Sequence, residues 1–139
     1  MRTHHQRQMS DQAHRACETV AHRFYPDVQG IAFYLSEDHS GEAAVFFNCL
    51  LSNAAGDEFA AHSRARRGKA YEQGRVFEMM QRAQAALVEL ADPSELGWGY
   101  YFSWRTVREC KNIGEDNWPF PKDGVPVVEE ISPEVTAEM

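Results

Sequence analysis

Apolar and polar positions along this chain follow two alternating periods. From Ala13, the residues Ala16, Cys17, Val20, Ala21 and Phe24 recur three or four apart, the spacing of a helix with one buried stripe. Ser10 suits the N-cap of this helix, Asp11 its first turn and Pro26 its end. The period then falls to two. Gly30 to Ser36 reads as a strand with Ile31, Phe33 and Leu35 on one face. Residues 37–41 (Glu-Asp-His-Ser-Gly) have turn composition. Glu42 to Ser52 is a second strand, apolar on both faces, which suits the inside of a sheet or the layer between sheet and helices. The two strands form a hairpin with a longer loop.

Helical spacing returns after a loop over Asn53 to Gly56. Asp57 to Arg67 has helical character, but Gly68 and Gly74 oppose one long continuous helix. A firmer helix runs from about Ala70 to Ala91, with Val76, Met80, Ala83, Leu87 and Leu90 as its buried stripe and Asp92-Pro93 as its stop. Next comes the densest aromatic segment: Trp98, Tyr100, Tyr101, Phe102 and Trp104. On a strand, Trp98, Tyr100, Phe102 and Trp104 share one face, while Tyr101, Ser103 and Arg105 share the other. Beyond it, proline and acid dominate. Trp118-Pro-Phe-Pro121 is a stiff apolar exception, and Val125 to Ile131 reads as a short edge strand.

These elements predict an α+β fold in the order α-β-β-α-β. Its sheet is small and antiparallel, in strand order 2-1-3 with a fourth strand at an edge, and two helices cover one face. Residues 10–131 form a single α+β domain, residues 1–9 a mobile N-terminal extension and residues 132–139 a disordered acidic tail. Met9 stands as an alternative start to Met1 just before the first ordered element. A chain of 139 residues is long enough for a core without staples.

Charge changes the picture more by its distribution than by its sum of −7. Arg64, Arg66, Arg67, Lys69 and Arg75 stand close together with one acid, Glu72, whereas residues 109–139 carry eight acids and two lysines. An acidic protein is repelled by nucleic acid at long range, so Arg64, Arg66, Arg67 and Lys69 mark the one stretch suited to contacting it. No apolar run reaches membrane-spanning length, and residues 1–8 lack the apolar core of a secretory signal. Cys17, Cys49 and Cys110 are odd in number and form no CxxC. Cys17 and Cys49 read as buried thiols, which points to the cytoplasm.

Candidate chemistry is sparse. His14, Glu18 and His22 share a helix face at metal-ligand spacing, but a solvated face with an ordinary i,i+4 pair is the favoured reading, and no HExxH or Cys/His quartet occurs. Cys110 lies beside Lys111 and near Arg108, cations that lower a thiol pKa, yet no base accompanies it. His39 sits with Asp38 and Glu37 in a polar turn. No GxSxG elbow or phosphate-binding glycine loop is present. The expectation is therefore no catalytic, metal or cofactor residues. The aromatic strand raises base stacking, but a leading helix and an acidic chain oppose it.

What remains is a cytoplasmic binding protein of inhibitor, immunity or accessory type. Tyr101, Ser103, Arg105 and Trp118 are its expected partner-binding residues, and another protein or a second copy of itself the expected partner. For Trp118, clamping across its own core is the first reading and binding a partner the second. The alternative is a nucleic-acid accessory protein using residues 62–75, and the third reading a small enzyme.

Overall fold

Thr3 opens the first helix, α1 (His4–Arg23), in a computed structural model that describes residues 3–65, 74–91, 98–113 and 118–131. Side chains are described there except at 63–65 and 111–113. The Thr3 hydroxyl accepts from the Gln6 backbone N–H, and the Gln6 side chain accepts from the Thr3 N–H, a reciprocal cap. The helix thus begins seven residues before the position expected from Ser10, and residues 4–9 belong to it. Ser10 is buried instead, its hydroxyl donating to Glu130 of the last strand.

The chain continues as β1 (Val28–Glu37), β2 (Ala43–Leu51), α2 (Asn53–Ala65), α3 (Arg75–Ala91), β3 (Gly99–Thr106), α4 (Val107–Ile113) and β4 (Val127–Glu130). The hairpin of β1 and β2 is antiparallel, pairing Tyr34 with Phe46 and Phe33 with Phe47. Its turn is built on Asp38, and Gly41 takes a φ of 85°, a conformation that favours glycine. Ser52 caps α2 by accepting from the Ala55 N–H, and Thr106 with Glu109 makes a second reciprocal cap at α4. Arg75, at the start of α3, is held by Asp27 at 2.6 Å and Glu58 at 3.0 Å, which ties α3 to the turn between α1 and β1 and to α2.

The α+β class and the short fourth edge strand stand as expected, but the sheet differs in detail. It is mixed, in order β3-β2-β1-β4, with β3 parallel to β2 and β4 parallel to β1. The third strand has the expected direction and a different neighbour. The reason lies in β2, whose Phe46 and Phe47 offer a ring to each face. Phe102 stacks on Phe47 at 5.3 Å, and Tyr101 on Phe46 at 5.0 Å. A strand apolar on both faces is stabilised in the interior of a sheet, so β2 takes β3 on its free side. The free side of β1 falls to β4. Gly30 admits this, since a Cβ there would meet the Val127 carbonyl oxygen at 2.7 Å and Pro119 at 3.1 Å. The helical part also holds more elements than expected: α2 is a separate helix before α3, and α4 follows β3. A parallel neighbour needs a long crossover, and α2 and α3 supply it.

The core lies between one sheet face and the helices. Val20 and Cys17 of α1, Phe33 and Ile31 of β1, Phe47 and Val45 of β2, and Val76 and Leu87 of α3 are wholly or almost wholly buried. Trp98, Tyr100, Phe102 and Trp104 pack against the margin of that core, as the alternation in β3 predicts. The Trp104 indole N–H donates to Gln84 of α3 at 2.6 Å.

Candidate functional site

The helices cover one face of the sheet, and the other carries an aromatic row across three strands. Tyr34 of β1, Phe46 of β2 and Tyr101 of β3 are in register. Their rings stack in sequence, with centroids 4.9 Å apart for Tyr34–Phe46 and 5.0 Å for Phe46–Tyr101, at 7° and 16° between planes. Such offset pairs add to area burial. Tyr34 and Phe46 are half-buried, and Tyr101 is 39% exposed.

The hairpin turn fixes one end of this row. The Tyr101 hydroxyl donates to Asp38 Oδ2 at 2.9 Å. Asp38 Oδ1 accepts from the Ser40 hydroxyl and from the Ser40 and Glu42 backbone N–H groups. These bonds, the Ser40 hydroxyl foremost, hold the Asp38 carboxyl far below the usual carboxylate range. The hydrogen bond to Asp38 in turn raises Tyr101, helped by some desolvation and by the negative charges of Asp38 and Glu42. Partial burial raises Tyr34. The row therefore ends in a carboxylate that stays ionised and a phenol that keeps its proton.

The other end of the same face is closed by the chain itself. Trp118 is only 6% exposed, and the Arg105 guanidinium lies over its ring at 5.3 Å from the centroid. Pro119 packs on Gly30. Of the four expected partner-binding residues, Tyr101 and Ser103 are exposed, Arg105 is half-buried, and Trp118 offers a partner little surface. Phe120 beyond it is 79% exposed. Sequence reading left open whether Tyr34 or Phe33 flanks Tyr101, and it did not single out Phe46. The signal for Tyr34 and Phe46 was their place on the even-numbered side of the hairpin, opposite Phe33 and Phe47.

The basic stretch is only partly visible. Arg64 lies in the last turn of α2 with its side chain outside the description, and Arg66, Arg67 and Lys69 lie outside the described residues. Among the described residues, no three His, Cys, Asp or Glu side chains gather as a metal site. His22 Nδ1 instead donates to the Glu18 carbonyl at 2.8 Å, and its ring lies 3.7 Å from the Glu18 carboxylate. His39 is exposed in the turn, and Cys110 is half-buried. Burial drives the Cys17 and Cys49 thiols far above their ordinary pKa, so both are unreactive.

A cleft of about 410 Å³ lies between α2, α3, β3 and α4. Leu51, Phe59, Met80 and Trp104 give it apolar lining, while Asp57, Arg108 and Glu109 give it charge. Arg108 is paired with Asp57 at 3.3 Å, and Glu109 caps α4, so all three of these charges serve structure.

Fold and surface together define an α+β protein with an aromatic row on the sheet face away from its helices. No known family model, curated protein or solved structure matches this chain. Among the described residues, no helix is long and apolar enough to cross a membrane.

Proposed function

We propose that this protein acts by binding another protein, in an inhibitor, immunity-type or accessory role, and not by catalysis. The observation that carries the reading is the Tyr34–Phe46–Tyr101 row on the sheet face opposite the helices. Aromatic side chains bring large contact area at low entropic cost, and tyrosine is enriched where binding energy concentrates. The row also favours protein over nucleic acid. Both faces of Phe46 are occupied by its neighbours, so it has none for a base, and the ionised Asp38 beside Tyr101 repels phosphate. The absence of disulfides at Cys17, Cys49 and Cys110 supports a reducing compartment, the cytoplasm.

The test is capture from the native host by the wild-type chain and by the double variant Tyr34→Ala/Tyr101→Ala, both first shown to be folded. A protein retained by the wild type and lost from the variant supports the row as the docking surface. The same proteins on both, or none on either, contradicts it.

A further inference from the structure

The aromatic row stands among carboxylates. Strand register brings Glu129 of β4 to the same sheet face, beside Ala32, the next residue of β1 on that face after Tyr34, and Glu129 is exposed. The β1–β2 turn adds Asp38 and Glu42 at the Tyr101 end. Glu42 is exposed, and its charge acts on the Tyr101 hydroxyl. The one cation in the four strands, Arg105, lies at the far end of the face and is engaged over Trp118. Tyr101 itself offers a ring and a carboxylate together. Phe46 stacks on one side of it at 5.0 Å, among the described residues no second ring stacks on it, and it is 39% exposed. Its hydroxyl donates to Asp38 Oδ2 at 2.9 Å, the one bond that oxygen accepts among the described residues. A carboxylate oxygen accepts two, so Oδ2 keeps a site beside the tip of the ring.

We infer that the protein docking on this face presents an arginine, whose guanidinium lies against the exposed side of the Tyr101 ring and donates to Asp38 and Glu42. The inference rests on the row being a protein-docking surface and names the chemistry of what docks there. Charge selects this occupant. An acidic partner surface would meet Asp38, Glu42 and Glu129 with like charge. A purely apolar one would bury the ionised Asp38 carboxylate with no counter-charge, which is costly. A basic one is attracted by all three carboxylates and steered by them on approach. Arginine suits the site better than lysine. Its planar guanidinium stacks on an aromatic ring, and its fork of N–H donors reaches a carboxylate while stacked there. An ammonium is a compact, strongly hydrated point charge and can do only the second.

The experiment is selection of phage-displayed random peptides on the full chain, with counter-selection against Tyr101→Leu, so that only peptides needing the row are kept. Fluorescence anisotropy then measures synthetic forms of those peptides. Circular dichroism checks folding of the variants, and Glu42→Gln replaces Tyr101→Leu in the counter-selection if the latter is unfolded. The retained peptides share an arginine. Exchanging it for citrulline, its uncharged isostere, weakens binding by about tenfold or more, and exchanging it for lysine weakens binding by a smaller factor. Glu42→Gln weakens the arginine form and leaves the citrulline form unchanged; the backbone of Glu42 makes the bond to Asp38, so this variant keeps the turn. Row-dependent peptides with no shared arginine, or a citrulline form that binds as tightly as the arginine form, overturn the inference and leave the docking surface standing. A selection that yields no row-dependent peptide also overturns it, and capture from the host then decides by itself whether the row docks a protein.

Discussion

Phe47 anchors the helix side of the aromatic system. It is fully buried and stacks on Phe102 at 5.3 Å and Tyr100 at 6.4 Å. Truncating such a ring removes its transfer energy and leaves a cavity, so Phe47→Ala should cost about 3–5 kcal/mol in chemical denaturation. A loss below about 1 kcal/mol would contradict the packing described. Asp38 offers a second test, through pH. Its carboxyl is depressed by folding, so its contribution is present above the unfolded value of about 4 and is lost as the pH falls below it. Asp38→Asn keeps an Oδ1 acceptor for the turn but removes the titration. The melting temperature of the wild type should fall more steeply than that of the variant between about pH 5 and pH 2. Parallel curves would show that the Asp38 bonds do not favour the folded state. At this scale the sequence was readable where alternation alone decides. Strand period put Tyr101 and Ser103 opposite Phe102 and Trp104, and the burial agrees. It was unreadable where tertiary contact decides: nothing local to Trp118 says that Arg105 will lie over it, 13 residues away in the chain.

Elements were legible in proportion to their local signals. The stripe of α1, the hairpin and most of the stripe of α3 stand out from period alone, but Leu90 is 41% exposed and Met79 is buried where Met80 was expected. Two starts were available and overlooked, Thr3-His-His-Gln6 and Thr106-Val-Arg-Glu109, each with a hydroxyl and a Glu or Gln three residues on. Strand order was the harder problem. β3 carries aromatics on both faces, and so does β2, and that match is what sets them side by side; sequence reading noted both runs without pairing them. β4 escaped a firm place because four residues give little pattern and its partner site depends on Gly30, far away in the chain. Gly30→Ala tests that contact. A methyl group 2.7 Å from the Val127 oxygen must push β4 and Pro119 away from β1. We expect a loss of about 1–3 kcal/mol and faster amide exchange across Val127–Glu130, while β2 keeps its protection. Unchanged exchange in β4 would mean that it does not sit against Gly30.

On the scale of the whole molecule, the sheet is asymmetric. One face is spent on the core with α1 and α3. The other is closed at the Arg105 end by Trp118 and Pro119 and shows three stacked rings at the Tyr101 end. Its edges differ in the same way, one short and acidic, the other long and nearly uncharged. A chain built only to be stable would cover the row, because apolar surface left in water gains nothing for the fold. The central claim is that the aromatic row lies open while Trp118 beside it is closed. Nuclear magnetic resonance with a soluble paramagnetic agent measures this directly. Ring signals of Tyr34, Phe46 and Tyr101 should be strongly relaxed by the agent, with those of Trp118 and Phe47 largely spared. Rings of Tyr34, Phe46 and Tyr101 as protected as that of Phe47 would contradict the account.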